Sequence, residues 1–343
     1  MLKRKKLYRE SNIEVLRILA MFMILLGHAW YHYECGVGDY PLKKVAYHIV
    51  NPLLYMHVDI FVLISGYFGL KLKSTKIFSL YTTCLFYTFV AMFFAFVLPD
   101  ISFHWKSLLF PITQGGWWFI RIYVALILIS PMLNLIIEYY HSRHQWRGLI
   151  VIAFIFNFYI SYLHRVDSIY SMGYDLFNFS CLYILGRYVA LKKVNWCSKT
   201  IVTALLVLSF FKLGISELGF TFPIIEKAIR IKTYCNPVNV FSAFLVFLLF
   251  LKWKKGWSNP LVNNISTSTL SIYLVTDNQY VRGGGGKMIT EYCYNNISDK
   301  IWYVPVYMMI LVIVFMLCIL LDKVRIRITT PLNTVLSKTW KSK

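Results

Sequence analysis

The stretch RESNIEVLRILAMFMILLGHAWYHY, residues 9–33, decides the fold of this chain. It is an apolar run long enough to span a membrane as a helix, and it carries Glu14, Arg17 and His28. At about 100° per residue, the spacings between these residues bring all three side chains to within roughly 60° on one helical face. The sequence therefore predicts a membrane helix with one polar stripe.

This polar stripe predicts a functional cavity beside the helix. Arg17 lies roughly 16 Å from His28 along the helix axis, about half of a ~30 Å hydrocarbon core. A charged side chain near the centre of a span costs on the order of 2.5–3.5 kcal/mol, and it normally faces a bundle interior or a wet cavity. Alternatively, Glu14 and Arg17 begin the helix at the interface and His28 is a hydrogen-bonded interior residue. The coincidence of all three on one face favours the cavity.

The composition is that of a polytopic membrane protein. The 343 residues are 58% hydrophobic and only 15% charged. The formal charge of +21 comes from Lys and Arg in short clusters between apolar runs, which indicates membrane topology and no nucleic-acid partner. The seven cysteines show no spacing typical of a zinc site or a disulfide framework, so no metal is expected.

The apolar runs predict about ten transmembrane helices in a single bundle, an all-α fold without a soluble domain over residues 1–343. The predicted spans are 13–33, 50–70, 77–98, 117–137, 148–164, 175–191, 200–216, 236–251, 263–280 and 301–321. With both termini cytoplasmic, the inside segments hold 22 Lys and Arg against 10 outside, as the positive-inside rule requires. The ninth span has a polar first half, which predicts a short helix or one that partly lines a cavity.

The second predicted span adds His57 and Asp59, which differ by about 200° around a helix, so that only one is expected to face the cavity. Asp59 is a candidate partner of His28 or Arg17. The alternative is an aspartate that is hydrogen-bonded near a helix end.

The fourth predicted span begins with Trp117 and Trp118 and has Arg121 one turn further in. Two tryptophans at a membrane boundary are usually interfacial anchors, although one of them could stack on a sugar ring. Arg121 faces a cavity or extends outward to the interface. These three residues are candidates for the acceptor side of a site.

Several segments, in the same order along the chain, resemble the integral-membrane acyltransferase family 3. They are Arg17 and His28 with Ile13–Ala20 around the arginine, Phe61–Tyr67, Trp118–Phe119 with Ser130–Pro131, Leu182–Tyr188 and Ile272–Asn278. Together they cover most of the chain, and the last two resemble landmarks of stand-alone bacterial members in polysaccharide pathways.

The resemblance implies ten membrane helices in a bacterial plasma membrane. It also implies a donor, acetyl-CoA or another acyl-CoA, that enters from the cytoplasm. The acyl group would pass to a hydroxyl of a cell-surface glycan or its lipid-linked precursor. His28 would be the catalytic histidine and Arg17 its essential companion.

The chain departs from the family pattern in one segment and at one single residue. Where the family often has an Arg-x-x-Arg pair after Ser-Gly-Tyr, this chain has Lys71, Lys73 and Lys76, and where relatives of this type tend to carry His it has Thr276. The three lysines and Arg17 are expected to bind the donor phosphates, because they lie on the cytoplasmic side.

The residues themselves fit such a reaction. A neutral histidine suits the base that a hydroxyl needs to attack a thioester, and Glu14 is placed one turn before Arg17 to hold its guanidinium.

We therefore predict a membrane O-acyltransferase whose partners are acyl-CoA, a glycan acceptor and membrane lipid. The alternative is a transporter or flippase in which Glu14, Arg17, His28 and Asp59 form a substrate or proton pathway. The sequence shows no repeats of the kind that many transporters have, which weakens this alternative.

Overall fold

The computed structural model describes residues 9–29, 50–97, 105–163, 172–278, 281–282, 285–298 and 300–339, and over these residues the chain is helical, without a strand. The longer helices are α1 Ser11–His28, α2 His57–Phe68, α3 Ser74–Val97, α4 Trp118–Ser142, α5 Trp146–Ile155, α6 Leu176–Lys192, α7 Ser198–Thr221, α8 Pro237–Lys252, α9 Gly285–Ile297 and α10 Tyr303–Thr339. Short helices are Asn51–Leu54, Lys106–Leu109, Pro111–Gln114, Pro223–Ile229, Pro260–Ser266 and Leu270–Thr276, and α5 continues in wider π-helical turns over Phe156–Leu163.

Six of these helices are long and apolar enough to cross a membrane, within the part of the chain that the structure describes. They are α1, α3, α4, α5 with its π-helical extension, α7 and α10. The all-helical, multi-pass membrane class is therefore confirmed. The count of ten crossings and the cytoplasmic side of the termini stay predictions, although each of the ten predicted intervals contains helical residues.

Some boundaries differ from the predicted ones. α10 continues to Thr339, well past the predicted end at residue 321. A buried cluster supports this extension, because Asp322 accepts hydrogen bonds from Arg325 at 2.6 Å and from Tyr87 on α3 at 2.9 Å. Residues 30–33, 98, 164 and 279–280, at the predicted ends of four spans, lie outside the described residues.

α1 is the central helix of the bundle. Of the residues in its apolar window 61% are buried, whereas only 17% are buried in α7, which therefore lies at the periphery. The first turn of α1 is fixed by polar contacts, since Ser11 donates to Asn263 Oδ1 at 2.8 Å and Asn12 donates to the Phe250 carbonyl at 2.9 Å. The polar stripe thus starts from an anchored end.

α2 and α6 cross in very close contact. A Cβ atom on Gly66 would lie 2.4 Å from the Tyr183 carbonyl oxygen, and one on Gly186 would lie 2.3 Å from the Leu63 carbonyl oxygen. Because neither helix carries a side chain at the crossing, their backbones can touch. This crossing fixes the position of α2, which begins at His57.

The ninth predicted span is two short helices, Pro260–Ser266 and Leu270–Thr276, with a break between them. Hydroxyl groups contact backbone carbonyls at and after this break: Thr269 donates to the Ser266 carbonyl at 3.0 Å, and the Ser271 hydroxyl lies 2.6 Å from the Ser268 carbonyl and 3.0 Å from the Cys318 carbonyl of α10. The second short helix ends beside the last turn of α1, where the candidate site lies.

Candidate functional site

His28 lies in the last turn of α1 and contacts the end of the helix Leu270–Thr276. Its Nδ1 is 2.9 Å from the hydroxyl oxygen of Thr276, which itself donates to the Ile272 carbonyl at 2.7 Å. A threonine hydroxyl has one proton, and we assign it to the carbonyl one turn back, which is the nearer of the two neighbours. The Thr276 oxygen therefore accepts from the Nδ1–H of His28, and the proton-accepting nitrogen of this tautomer is Nε2.

A carboxylate stands on the other side of this histidine. The Oδ1 atom of Asp277 lies 3.6 Å from His28 Nε2, and it also accepts a hydrogen bond from Arg282 Nη2. The Asp277 side chain is only 2% exposed. A negative charge at this distance stabilises an imidazolium that forms at His28 during proton transfer.

A narrow cavity of about 230 Å³ follows α1 from Arg17 to His28. Its walls between these two residues are largely apolar and aromatic, and include Met21, Ile24 and Phe119. The cavity thus has a cation at one end and the imidazole at the other, roughly 16 Å apart along the helix.

A second cavity, of about 460 Å³, continues from His28 in the other direction, and we call it the vestibule. Aromatic residues and charged residues line it together, among them Tyr55, Tyr174, Lys232, Asp277 and Arg282. Its character is therefore that of a site for a polar ligand.

The narrow cavity and the vestibule share His28, His57, Trp118 and Tyr234. The shared rings contact one another, with centroids 5.5 Å apart for His57 and Tyr234 and 5.7 Å apart for Trp118 and Tyr234. His28 thus lies where two spaces of different chemical character meet.

The Arg17 end of the narrow cavity is fixed by Glu14. This buried carboxylate accepts hydrogen bonds from Arg9 at 2.7 Å, from Arg17 at 2.8 Å and from the Ser266 hydroxyl. The guanidinium of Arg17 also lies over the Phe68 ring, 5.7 Å from its centroid. Glu14 lines neither cavity and positions Arg17, while its distance along the helix keeps it away from His28.

The lysine segment after α2 is held by side chains from α4 and α6. Tyr183 accepts a hydrogen bond from the Leu70 amide at 3.0 Å, and Asn134 donates to the Leu70 carbonyl at 3.0 Å. Gly69 has φ +74°, a conformation that favours glycine, and turns the chain out of α2. The exposed side chains that follow are Lys71, Lys73 and Lys76.

Asp59 does not reach His28 or Arg17, contrary to the geometric prediction. Of the two polar residues in the first turn of α2, His57 is the one that lines the cavities, while Asp59 is fully buried away from them. Its electrostatic partner is Lys212, a buried residue of the peripheral helix α7. The helical spacing of His57 and Asp59 predicted that only one of them would line a cavity. Packing against the neighbouring helices determined that this residue is His57.

The three candidates for the acceptor side, Trp117, Trp118 and Arg121, occupy different environments. Trp118 lines both cavities, whereas Trp117 is fully buried and donates from its indole N–H to the Leu274 carbonyl at 3.0 Å. Trp117 is thus a packing residue and cannot stack on a ligand. Arg121 is exposed and lines neither cavity.

Sequence reasoning missed most of the vestibule. Thr276 and Asp277 stood out only as part of a family landmark, and Tyr234, Lys232 and Arg282 received no role. An isolated aspartate at the end of a predicted span was a usable signal, because an ionisable residue inside a membrane is a candidate site residue by default. Lys232 and Arg282 had no comparable signal, since they belong to predicted outer loops.

A buried histidine with a fixed tautomer, placed between two cavities, defines this multi-pass helical protein as a candidate membrane transferase. Comparison with known families agrees with this class: the model of an acyltransferase domain, the type 3 acyltransferase family, matches residues 10–323. The chain therefore belongs to this family. No curated protein and no solved structure matches it.

Proposed function

We propose that this protein is a membrane O-acyltransferase, which moves an acetyl or similar group from cytoplasmic acyl-CoA to a hydroxyl of a cell-surface polysaccharide or its lipid-linked precursor. The observation that carries this proposal is the meeting of the narrow cavity and the vestibule at His28. A transferase that takes its two substrates from opposite sides of a membrane needs such an arrangement.

The narrow cavity suits the donor. Its length between Arg17 and His28 fits an extended pantetheine arm, and its apolar walls leave that arm few competing hydrogen-bond partners. A phosphate group at the Arg17 end would meet a guanidinium that Glu14 holds in place. The Lys71–Lys76 segment would add positive charge for the nucleotide part of the donor.

The reaction follows from the tautomer of His28. The acceptor hydroxyl attacks the thioester carbonyl, and its proton passes to His28 Nε2 while the Asp277 carboxylate stabilises the imidazolium. Collapse of the tetrahedral intermediate breaks the C–S bond. The imidazolium then returns the proton to the leaving thiolate, which gives the ester, free CoA and neutral His28.

The vestibule suits a glycan acceptor. Trp118, Tyr174 and Tyr234 are in ring contact with one another, with a centroid distance of 4.3 Å between Trp118 and Tyr174. Such rings combine apolar faces with polar edges, and a sugar presents the same combination. A ring held against Trp118 would bring a hydroxyl close to His28.

Sealed inside-out membrane vesicles test the proposal. They receive acetyl-CoA with a labelled acetyl group on the outside, and vesicles without the protein serve as control. We expect label on glycan or glycolipid only where the protein is present. Right-side-out vesicles should give little label, because the donor would then be on the wrong side. Equal labelling with and without the protein contradicts the proposal.

A transporter or flippase is the second candidate, and the buried Asp59 and Lys212 favour it. Two oppositely charged side chains inside membrane helices are a common feature of proton pathways. Their separation from both cavities argues against it. Movement of a labelled lipid-linked glycan across vesicles without any acyl transfer would favour this candidate, and a neutral pair, Asp59→Asn with Lys212→Met, should then abolish the movement.

A further inference from the structure

The charges of the vestibule distinguish between classes of acceptor. Lys232 and Arg282 come from different segments of the chain and line the same cavity. Among the described residues that line this cavity, Asp277 is the one acidic residue. With both histidines neutral, this lining carries one net positive charge. A cavity lined with positive charge attracts an anion and holds a neutral sugar less well.

Asp277 does not exhaust the hydrogen-bonding capacity of Arg282. Arg282 Nη2 donates to Asp277, but its Nε–H is buried and has no acceptor among the described residues. The Arg282 side chain is nevertheless 30% exposed, so part of it remains accessible in the vestibule that it lines. A guanidinium also presents its donors in the planar arrangement that matches carboxylate and phosphate oxygens.

The segment that carries Lys232 is firmly built. Asn239 on α8 donates to the carbonyls of Ile231 at 2.6 Å and Thr233 at 2.8 Å, on both sides of the lysine. The Asn236 side chain donates to the Ile229 carbonyl at 2.9 Å. Because the backbone around Lys232 is fixed by buried amides, its side chain starts from a defined point on the wall.

We propose that the vestibule takes a negatively charged acceptor, a glycan whose carboxylate or phosphate group binds between Lys232 and Arg282. This inference rests on the proposed function and adds the class of its acceptor. The sugar ring contacts Trp118 and Tyr234, the anion binds the two cations, and a neighbouring hydroxyl reaches His28. A uronic acid and a phosphorylated sugar both carry an anionic group, and the test below distinguishes these two kinds of acceptor.

The test uses three matched disaccharides with the purified full-length protein in lipid nanodiscs. They are cellobiose, the same disaccharide ending in glucuronic acid, and cellobiose 6-phosphate. Binding of each is measured by calorimetry without donor, and acetyl transfer is measured separately with acetyl-CoA. We expect one or both charged probes to bind about tenfold more tightly than cellobiose, since a charge-assisted hydrogen bond contributes about that much.

The variants are Lys232→Gln and Arg282→Gln, and Lys227→Gln is the matched control. Lys227 is exposed and lines neither cavity, so its substitution removes the same charge from the same outer segment. We expect the two cavity variants to lose the preference for the charged probes, while their affinity for cellobiose changes little. The control variant should keep that preference.

The outcomes separate this inference from the proposed function. A binding preference that depends on Lys232 and Arg282 supports the inference even if no acetyl group is transferred, and only the proposed function then fails. Equal binding of all three sugars, binding of none, or the same loss in Lys227→Gln overturns the inference, whatever the transfer assay shows.

Discussion

The two cavities that meet at His28 differ in size and in chemistry. The narrow cavity, of about 230 Å³, has largely apolar walls and one cation at its far end. The vestibule, of about 460 Å³, combines aromatic rings with Lys232, Asp277 and Arg282. Under the proposed function, this difference would let one histidine serve two unlike substrates, because each cavity suits groups that the other does not.

The two sides are also built differently. The far end of the narrow cavity depends on contacts near the start of α1, where Glu14 holds Arg17. The junction of the two cavities depends on contacts between distant parts of the chain, such as His28 with Thr276 and Asp277. Substitutions on one side should therefore change the kinetic parameters of one substrate, and substitution of His28 at the junction should change the chemical step.

Replacement of the shared histidine should have the largest effect. We expect His28→Gln to lower kcat by roughly 10²–10⁴-fold, because a positioned general base contributes that much. The measurement is single-turnover acetyl transfer by purified protein. His57→Gln is the matched control, since it alters another histidine that lines both cavities. If the two variants lose equal activity, His28 has no special role.

The close crossing of α2 and α6 positions α2, and His57 on α2 lines both cavities. We expect Gly186→Ala to lower the free energy of unfolding by about 1–3 kcal/mol or more, because its methyl group would meet the Leu63 carbonyl. Thermal unfolding in detergent measures this. Gly214→Ala on α7 should cost nothing, since an added Cβ there meets no atom within 4 Å. Equal destabilisation by both would show that the crossing is not tight.

Loss of the cation at the far end of the narrow cavity should affect the donor alone. We expect Arg17→Gln to raise KM for acetyl-CoA about tenfold, because one charge-assisted hydrogen bond to a phosphate group is lost. KM for acetyl-pantetheine, which has no phosphate group, should change little. Steady-state kinetics with both donors give the comparison. An equal increase for the two donors would mean that Arg17 does not bind a phosphate group.

Loss of the hydrogen bond that fixes the histidine tautomer should have the smallest effect. We expect Thr276→Val to lower kcat about fivefold, the range of one neutral hydrogen bond, and Thr276→Ser to restore it. Nitrogen NMR of labelled histidine would show the tautomer change directly. Unchanged kcat together with a changed tautomer would contradict the role of Nε2 as the base.

Sequence reasoning predicted the lining of the narrow cavity better than that of the vestibule. The face shared by Arg17 and His28 follows from helical period within one element, and both residues line the narrow cavity. Asp59 was a candidate because its depth is right, but α2 is oriented so that His57 faces the cavities. The same limit applied to Trp117 and Trp118, where only packing distinguishes the buried ring from the lining one.

The sequence by itself determined that this is a multi-pass helical membrane protein, and that its first helix carries a polar stripe with Arg17 and His28. Hydrophobicity and helical period are local properties, so a single segment is enough to show them. Only the tertiary structure decided that Thr276 and Asp277, about 250 residues away in the chain, lie beside the two ring nitrogens of His28. It also decided that the two cavities meet there, because contacts between distant segments depend on how the helices pack against one another.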